Sequence, residues 1–104
     1  MVILVVDNTS PFSSNILACL DHLDKVYVYK RFSEVTDADV NQCDRVILSG
    51  RRKHNRQINL INSRIIRYCN YSGKSLLGIC YGAEIIALTL GGSICKMPAY
   101  VHGL

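Results

Sequence analysis

The sequence predicts an α/β fold: a mostly parallel sheet with helices packed on both faces. Three observations carry that prediction. Val2 to Val6 (VILVV) and Asp44 to Ser49 (DRVILS) hold continuous apolar runs, as expected of strands covered on both faces. Helix-period segments separate the strand-like segments from end to end. Lys74 to Gly92 (KSLLGICYGAEIIALTLGG) reads as a strand, a sharp turn and a helix in immediate succession. Such units connect by right-handed crossovers, and their sites lie beyond the carboxyl ends of the strands.

The first strand is broken by Asp7-Asn8-Thr9-Ser10-Pro11. Ser10 reads as an N-cap, with Pro11 at the first helical position. Phe12, Ile16, Leu17, Leu20 and Leu23 then mark an amphipathic helix to about Leu23. Lys25 to Lys30 (KVYVYK) alternates, which predicts a second strand near an edge. Glu34 to Gln42 is polar and reads as a turn or short helix. Asp44 to Ser49 is the third strand, central by its Val-Ile-Leu run and ended by Gly50. Ile58, Ile61, Ile65 and Tyr68 mark the buried face of the next helix, with Asn59, Asn62, Ser63 and Arg67 turned away. Tyr71-Ser72-Gly73 makes a turn, and Ser75 to Ile79 is the fourth strand. Ala83 to Leu90 is helical and is closed by Gly91-Gly92. Ser93 to Cys95 begins a further strand, and Lys96 to Leu104 reads as irregular.

At 104 residues the chain makes one domain with a modest core. It is 49% hydrophobic and 19% charged, ordinary values for a globular protein. No apolar run approaches the roughly 18 residues of a membrane span, and the amino terminus has no basic signal region. The formal charge is +4, and Arg51-Arg52-Lys53-His54-Asn55-Arg56 concentrates much of it. No aromatic platform or recognition-helix pattern accompanies that run, which argues against nucleic-acid binding. The five cysteines, Cys19, Cys43, Cys69, Cys80 and Cys95, include no C-x-x-C pair. A disulfide framework or zinc site is therefore not expected, and the chain fits the cytoplasm. Cys19, Cys43 and Cys69 suit small buried hydrophobes, as Cys95 can. Cys80 suits that role least.

Cys80 sits where a strand turns sharply into a helix. Such an elbow holds a nucleophile in a strained backbone conformation, exposed above the sheet. Strand and helix pass close together there, so the flanking positions must be small, and Gly78 and Gly82 are. The first turn of the following helix offers free N–H groups and positive partial charge. The Tyr81 N–H is placed to meet an oxyanion on an attacked carbonyl, and a second donor can come from around Gly50. A cysteine nucleophile also needs a base, normally histidine. His22, His54 and His102 are the candidates, and none has a context that marks it.

These residues resemble a known family. Leu77 to Ala87 (LGICYGAEIIA), followed by Gly91-Gly92, is similar to the nucleophile motif of class I glutamine amidotransferases. Val46-Ile47-Leu48-Ser49-Gly50 resembles that family's strand into its oxyanion loop, Ile3 to Asn8 its opening strand, and Val101-His102-Gly103 a later segment. The resemblance implies a flavodoxin-like, three-layer fold and glutamine hydrolysis. Cys80 would attack the side-chain amide, with oxyanion donors at Gly50 and Tyr81. Glu84 stands where the family usually has a substrate-contacting glutamine. Ammonia would pass to a synthase subunit or domain, with a lean toward the GMP synthase type over anthranilate synthase; no cofactor is implied.

The departures also inform. The family's catalytic His-x-Glu motif lies downstream of anything in residues 1–104, so these residues read as a partial domain with little turnover alone. Arg51-Arg52 stands where Gly-Pro is usual. Ala83 and Glu84 replace the usual His or Met and Gln, and Glu84 sets a negative charge near the thiol. A non-catalytic binding module, with Arg51 to Arg56 docking an acidic partner or phosphate, and a different cysteine-elbow hydrolase stay open as alternatives.

Overall fold

A computed structural model describes residues 2–53 and 55–91. Its elements alternate as expected: β1 (Ile3–Asn8), α1 (Ser13–His22), β2 (Tyr27–Arg31), a 3-10 turn (Phe32–Glu34), α2 (Asp37–Gln42), β3 (Arg45–Arg51), α3 (Arg56–Ser72), β4 (Ser75–Gly78) and α4 (Tyr81–Thr89). The four strands form one parallel sheet in the order β2-β1-β3-β4. β1 and β3 are the central pair, and their runs Leu4–Val6 and Val46–Leu48 are buried. β2 lies at an edge, as its alternation predicts.

Two apolar layers flank the sheet. Leu4, Val6, Val46 and Leu48 pack with Val40 of α2, Ile58, Ile65 and Ile66 of α3, and Ile85 of α4. Ile3, Val5 and Ile47 point the other way and pack with Ile16, Leu17 and Leu20 of α1. Successive strand residues face opposite layers, so a sheet covered on both faces needs continuous apolar runs. The result is the three-layer, flavodoxin-like arrangement. No helix among the described residues is long and apolar enough to cross a membrane.

Several local expectations change. Ser10 does not cap a helix begun by Pro11. Its hydroxyl accepts the Phe12 N–H at 3.1 Å in a preceding turn, and α1 starts at Ser13. β3 does not stop before Gly50 but runs through it to Arg51, because Arg51 bridges to Thr9 just past the end of β1. Asn62 is not turned away from the core. It is fully buried, its Nδ2 donates to Asn8 Oδ1 at 2.8 Å, and Asn8 Nδ2 donates back to Asn62 Oδ1 at 3.0 Å. This pair fastens α3 to the carboxyl end of β1 with both amides satisfied. Cys43 and Cys69 are buried thiols as expected, whereas Cys19 is exposed on α1.

The helix ends that matter for the site are locally encoded. Asn55 caps α3, its Oδ1 accepting from Gln57 N at 2.8 Å and Ile58 N at 3.4 Å. Gly73 ends α3 at φ +73, the left-handed geometry that glycine adopts freely. The sequence expectations at His54, Gly92, Ser93 to Cys95 and Val101 to Gly103 lie outside the described residues.

Candidate active site

Cys80 adopts φ 53 and ψ −111 between β4 and α4. A positive φ on a residue with a Cβ is costly and persists only where its surroundings enforce it. The enforcement is visible on both sides. A Cβ on Gly78 would stand 2.3 Å from the Gly82 carbonyl carbon, and one on Gly82 would stand 2.2 Å from the Leu48 carbonyl oxygen. Strand, elbow and helix therefore touch backbone to backbone. The Ile79 N–H donates to Leu48 O at 3.0 Å, extending the β3–β4 pairing to the turn. Gly82 N–H then donates to Ile79 O at 3.0 Å, and Glu84 N–H to Cys80 O at 3.2 Å, which starts α4 under the thiol. Cys80 itself is exposed.

The three junctions beyond the carboxyl ends of β1, β3 and β4 converge. A Cβ on Gly50 would lie 3.6 Å from Cys80 Cβ and 3.7 Å from Ser10 Oγ. Gly50, Ser10 and Cys80 thus share one crevice. Tyr81 follows Cys80 directly, and its side chain is buried beneath the elbow. Glu84 lies one turn into α4 and is exposed. His22 sits in the last turn of α1, which leads away from this crevice. His54 and His102 lie outside the described residues.

Nothing in the sequence signals what holds Tyr81. The Arg51 guanidinium lies over the ring at 4.0 Å from its centroid. Arg51 Nη1 donates to Asn59 Oδ1 at 2.8 Å, and the Tyr81 hydroxyl donates to the same oxygen at 2.5 Å. Burial pushes the Tyr81 phenol up, and the Arg51 charge opposes that shift. The residue standing where the resemblance expects glycine is thereby tied both to α3 and to the residue after the cysteine. That unusual arginine was the available signal; its partner Asn59 had none.

Asp7 anchors the other side of the crevice. Its carboxylate accepts from Ser13 Oγ at 2.8 Å, from the Thr9 N–H at 2.8 Å and from the Tyr29 hydroxyl. Burial works against its charge, but the hydrogen bonds from Tyr29, Ser13, Thr9 and Ser10 outweigh it and hold the carboxyl below its ordinary value. The hydrogen bond to Asp7, helped by burial, pushes Tyr29 up to about 12.

A strained cysteine between two sterically obligatory glycines, beside Gly50, is the arrangement that the resemblance anticipates. The glutamine amidotransferase class-I family model matches residues 4–104. The chain belongs to the class-I glutamine amidotransferase family. Its curated relatives include anthranilate synthase component 2 of Cyanophora paradoxa, 27% identical over 103 residues, covering 98% of this chain and 54% of the relative. Anthranilate synthase component 2 of Porphyra purpurea is 26% identical over 104 residues, again covering 98% of this chain and 54% of the relative. Among solved structures, a GMP synthase subunit from Thermoplasma acidophilum superposes with a TM-score of 0.74 at 25% identity. That match covers 92% of this chain and 48% of the other. The chain thus spans about half the length of the relatives it matches.

Proposed function

We propose that this chain carries the nucleophilic half of a glutaminase. The observation that carries this reading is Cys80 at positive φ, exposed, between glycines that admit no Cβ. In the proposed reaction the Cys80 sulfur attacks the side-chain amide carbon of glutamine. The tetrahedral oxyanion is met by backbone N–H groups at Gly50 and Tyr81. Collapse expels the amide nitrogen, protonated as ammonia, and leaves a γ-glutamyl thioester on Cys80. Water then adds to the thioester, releasing glutamate and restoring the thiol. Glu84, one turn from the thiol, contacts the bound glutamine.

The base belongs to a His-x-Glu segment beyond this sequence, so residues 1–104 alone turn over glutamine little or not at all. Ammonia passes to a synthase partner. The structural neighbour supports a GMP synthase type, while the curated relatives carry the name of anthranilate synthase. Buried free thiols at Cys43 and Cys69 fit a reducing compartment such as the cytoplasm.

Labelling separates this reading from a catalytically silent binding module, which the extension of β3 into Arg51 favours. A glutamine analogue with an electrophilic chloroketone at the amide position should modify Cys80 by mass spectrometry, ahead of Cys19, which is also exposed. Free glutamine should protect Cys80, and Cys80→Ala should take no label there. Equal modification of Cys19 and Cys80, or no protection by glutamine, would sink the glutaminase reading. Glutamate release above the Cys80→Ala background would show that the His-x-Glu segment is dispensable.

A further inference from the structure

The basic run Arg51 to Arg56 does not act as one patch. Arg51 turns inward onto Tyr81. Arg52 and Lys53 instead line a cleft of about 660 Å³ beyond the carboxyl ends of β1, β2 and β3. Arg31, from the end of β2 and distant in sequence, joins them on its wall. Cys80, Gly50 and Tyr81 do not line this cleft, so it is separate from the cysteine crevice.

The charges in the cleft are unbalanced. The ion pairs among the described residues are Lys30–Asp39 and Arg64–Asp37, so Arg31, Arg52 and Lys53 are not engaged by carboxylates there. Asp7 is the carboxylate on the cleft wall, and its oxygens are already bonded by Ser13, Thr9 and Tyr29. Three cations therefore face one carboxylate that is turned into the fold. Thr9 and Ser10 add hydroxyl groups to the wall, and Phe32 adds an aromatic surface beside the cations.

We propose that this cleft binds the phosphate group of a small phosphorylated molecule, with the rest of the ligand against Phe32. Arginine forks match phosphate oxygens in pairs, and a dianion answers the excess charge better than a single carboxylate. The volume lies in the small-ligand range of roughly 300–1,000 Å³, and the cleft is bounded by the loops after β1 and β3 rather than open along a groove. That enclosure favours a small molecule over an acidic peptide. The site is independent of the glutaminase reading, since none of its groups touches the thiol.

The test is calorimetric titration of the chain with phenyl phosphate and with inorganic phosphate at low ionic strength. Phenyl phosphate should bind one to one and more tightly than inorganic phosphate. Arg52→Gln and Arg31→Gln should each weaken it about tenfold, the scale of a charged hydrogen bond. Arg52→Lys should recover part of the loss. Cys80→Ala, and Arg64→Gln on the exposed face of α3, should leave binding unchanged. Arg31, Arg52, Arg64 and Cys80 are all exposed, and matching urea midpoints would confirm that the variants fold. The proposal is overturned by non-saturating heats, by equal weakening in Arg64→Gln, or by an acidic peptide binding where phenyl phosphate does not. Loss of binding in Cys80→Ala would overturn the separateness of the two sites.

Discussion

The Arg51 guanidinium stacks on the Tyr81 ring at 4.0 Å, and Asn59 accepts a hydrogen bond from both residues. One amide oxygen thus joins the loop after β3, the first turns of α3 and the residue that follows the cysteine. Removing Arg51 takes away a cation over a buried ring and one hydrogen bond. Arg51→Ala should destabilise the fold by about 1 to 2 kcal/mol in urea unfolding. Tyr81→Phe keeps the ring but loses the hydroxyl donor, and should cost about 1 kcal/mol. The double variant should cost less than the two single losses together, since both share Asn59. Strict additivity would show that the three side chains do not act as a unit.

The two elbow glycines answer to different neighbours and give graded predictions. Gly82→Ala drives a methyl to within 2.2 Å of the Leu48 carbonyl oxygen, a rigid backbone atom of the central strand. α4 must move away from β3, at a cost of about 3 kcal/mol or more. Gly78→Ala meets the Gly82 backbone at 2.3 Å and should cost a similar amount. Gly73→Ala meets open space, so only its φ of +73 is strained, and it should cost about 1 kcal/mol. Thermal melts of the three variants should rank Gly73→Ala well above the other two. A Gly82→Ala protein as stable as the parent would mean that the strand and helix are not in backbone contact.

The strain at Cys80 is itself measurable. A residue with a Cβ at φ 53 loses roughly 1–2 kcal/mol that glycine does not. Glycine returns part of this through its greater freedom in the unfolded chain. Cys80→Gly should therefore raise stability by about 0.5 to 1 kcal/mol, while Cys80→Val should lower it by about 1 kcal/mol or more, because β-branching crowds that backbone. Urea midpoints should rank Gly above Cys above Val. The reverse order would place the elbow in an ordinary conformation and remove the main support for a nucleophile.

How much of this is legible in the sequence depends on which partners are local. Val2 to Val6 and Val46 to Leu48 announce central strands because burial on both faces demands unbroken apolar runs, and they form β1 and β3. Gly78, Cys80 and Gly82 announce the elbow because spacing alone brings their backbones together. Asn62 misleads because its i, i+4 pattern is read for polarity, whereas its partner Asn8 lies 54 residues away. The end of β3 misleads for the same reason: its last pairing is with Thr9 across the sheet, which no local turn signal records. Arg51 looks like part of a solvated charge run, and only the fold turns it onto Tyr81.

The buried amide pair gives a sharper expectation. Asn62→Ala removes the partner of Asn8 and leaves a fully buried amide short of hydrogen bonds. The cost should be about 2 to 3 kcal/mol, from desolvation of the orphaned group plus a small void. Asn62→Asp should be as damaging or worse, because it buries a charge facing the Asn8 carbonyl oxygen. The paired change Asn8→Leu with Asn62→Ala should recover part of the loss in urea unfolding by removing both polar groups. No recovery would mean that Asn8 is satisfied without Asn62.

Asp7 gives the fold a predictable acid response. Its folded-state carboxyl is held below the ordinary value of 3.8, so the unfolded chain takes up the proton first as pH falls. Asp7 therefore contributes stability that is fully present above about pH 5 and is lost as pH drops through the ordinary value toward the folded one. Asp7→Asn removes this dependence, since the amide does not titrate. Unfolding free energies of the two proteins should differ most at neutral pH, with the parent more stable, and converge below about pH 3. At the alkaline end the sign reverses for Tyr29, which is raised to about 12 by the same hydrogen bond. Its contribution is complete below pH 10 and is lost as pH climbs past that value, so Tyr29→Phe should flatten the alkaline limb. A parent and Asp7→Asn pair with parallel acid profiles would show that Asp7 is not held ionised by Ser13, Thr9 and Tyr29.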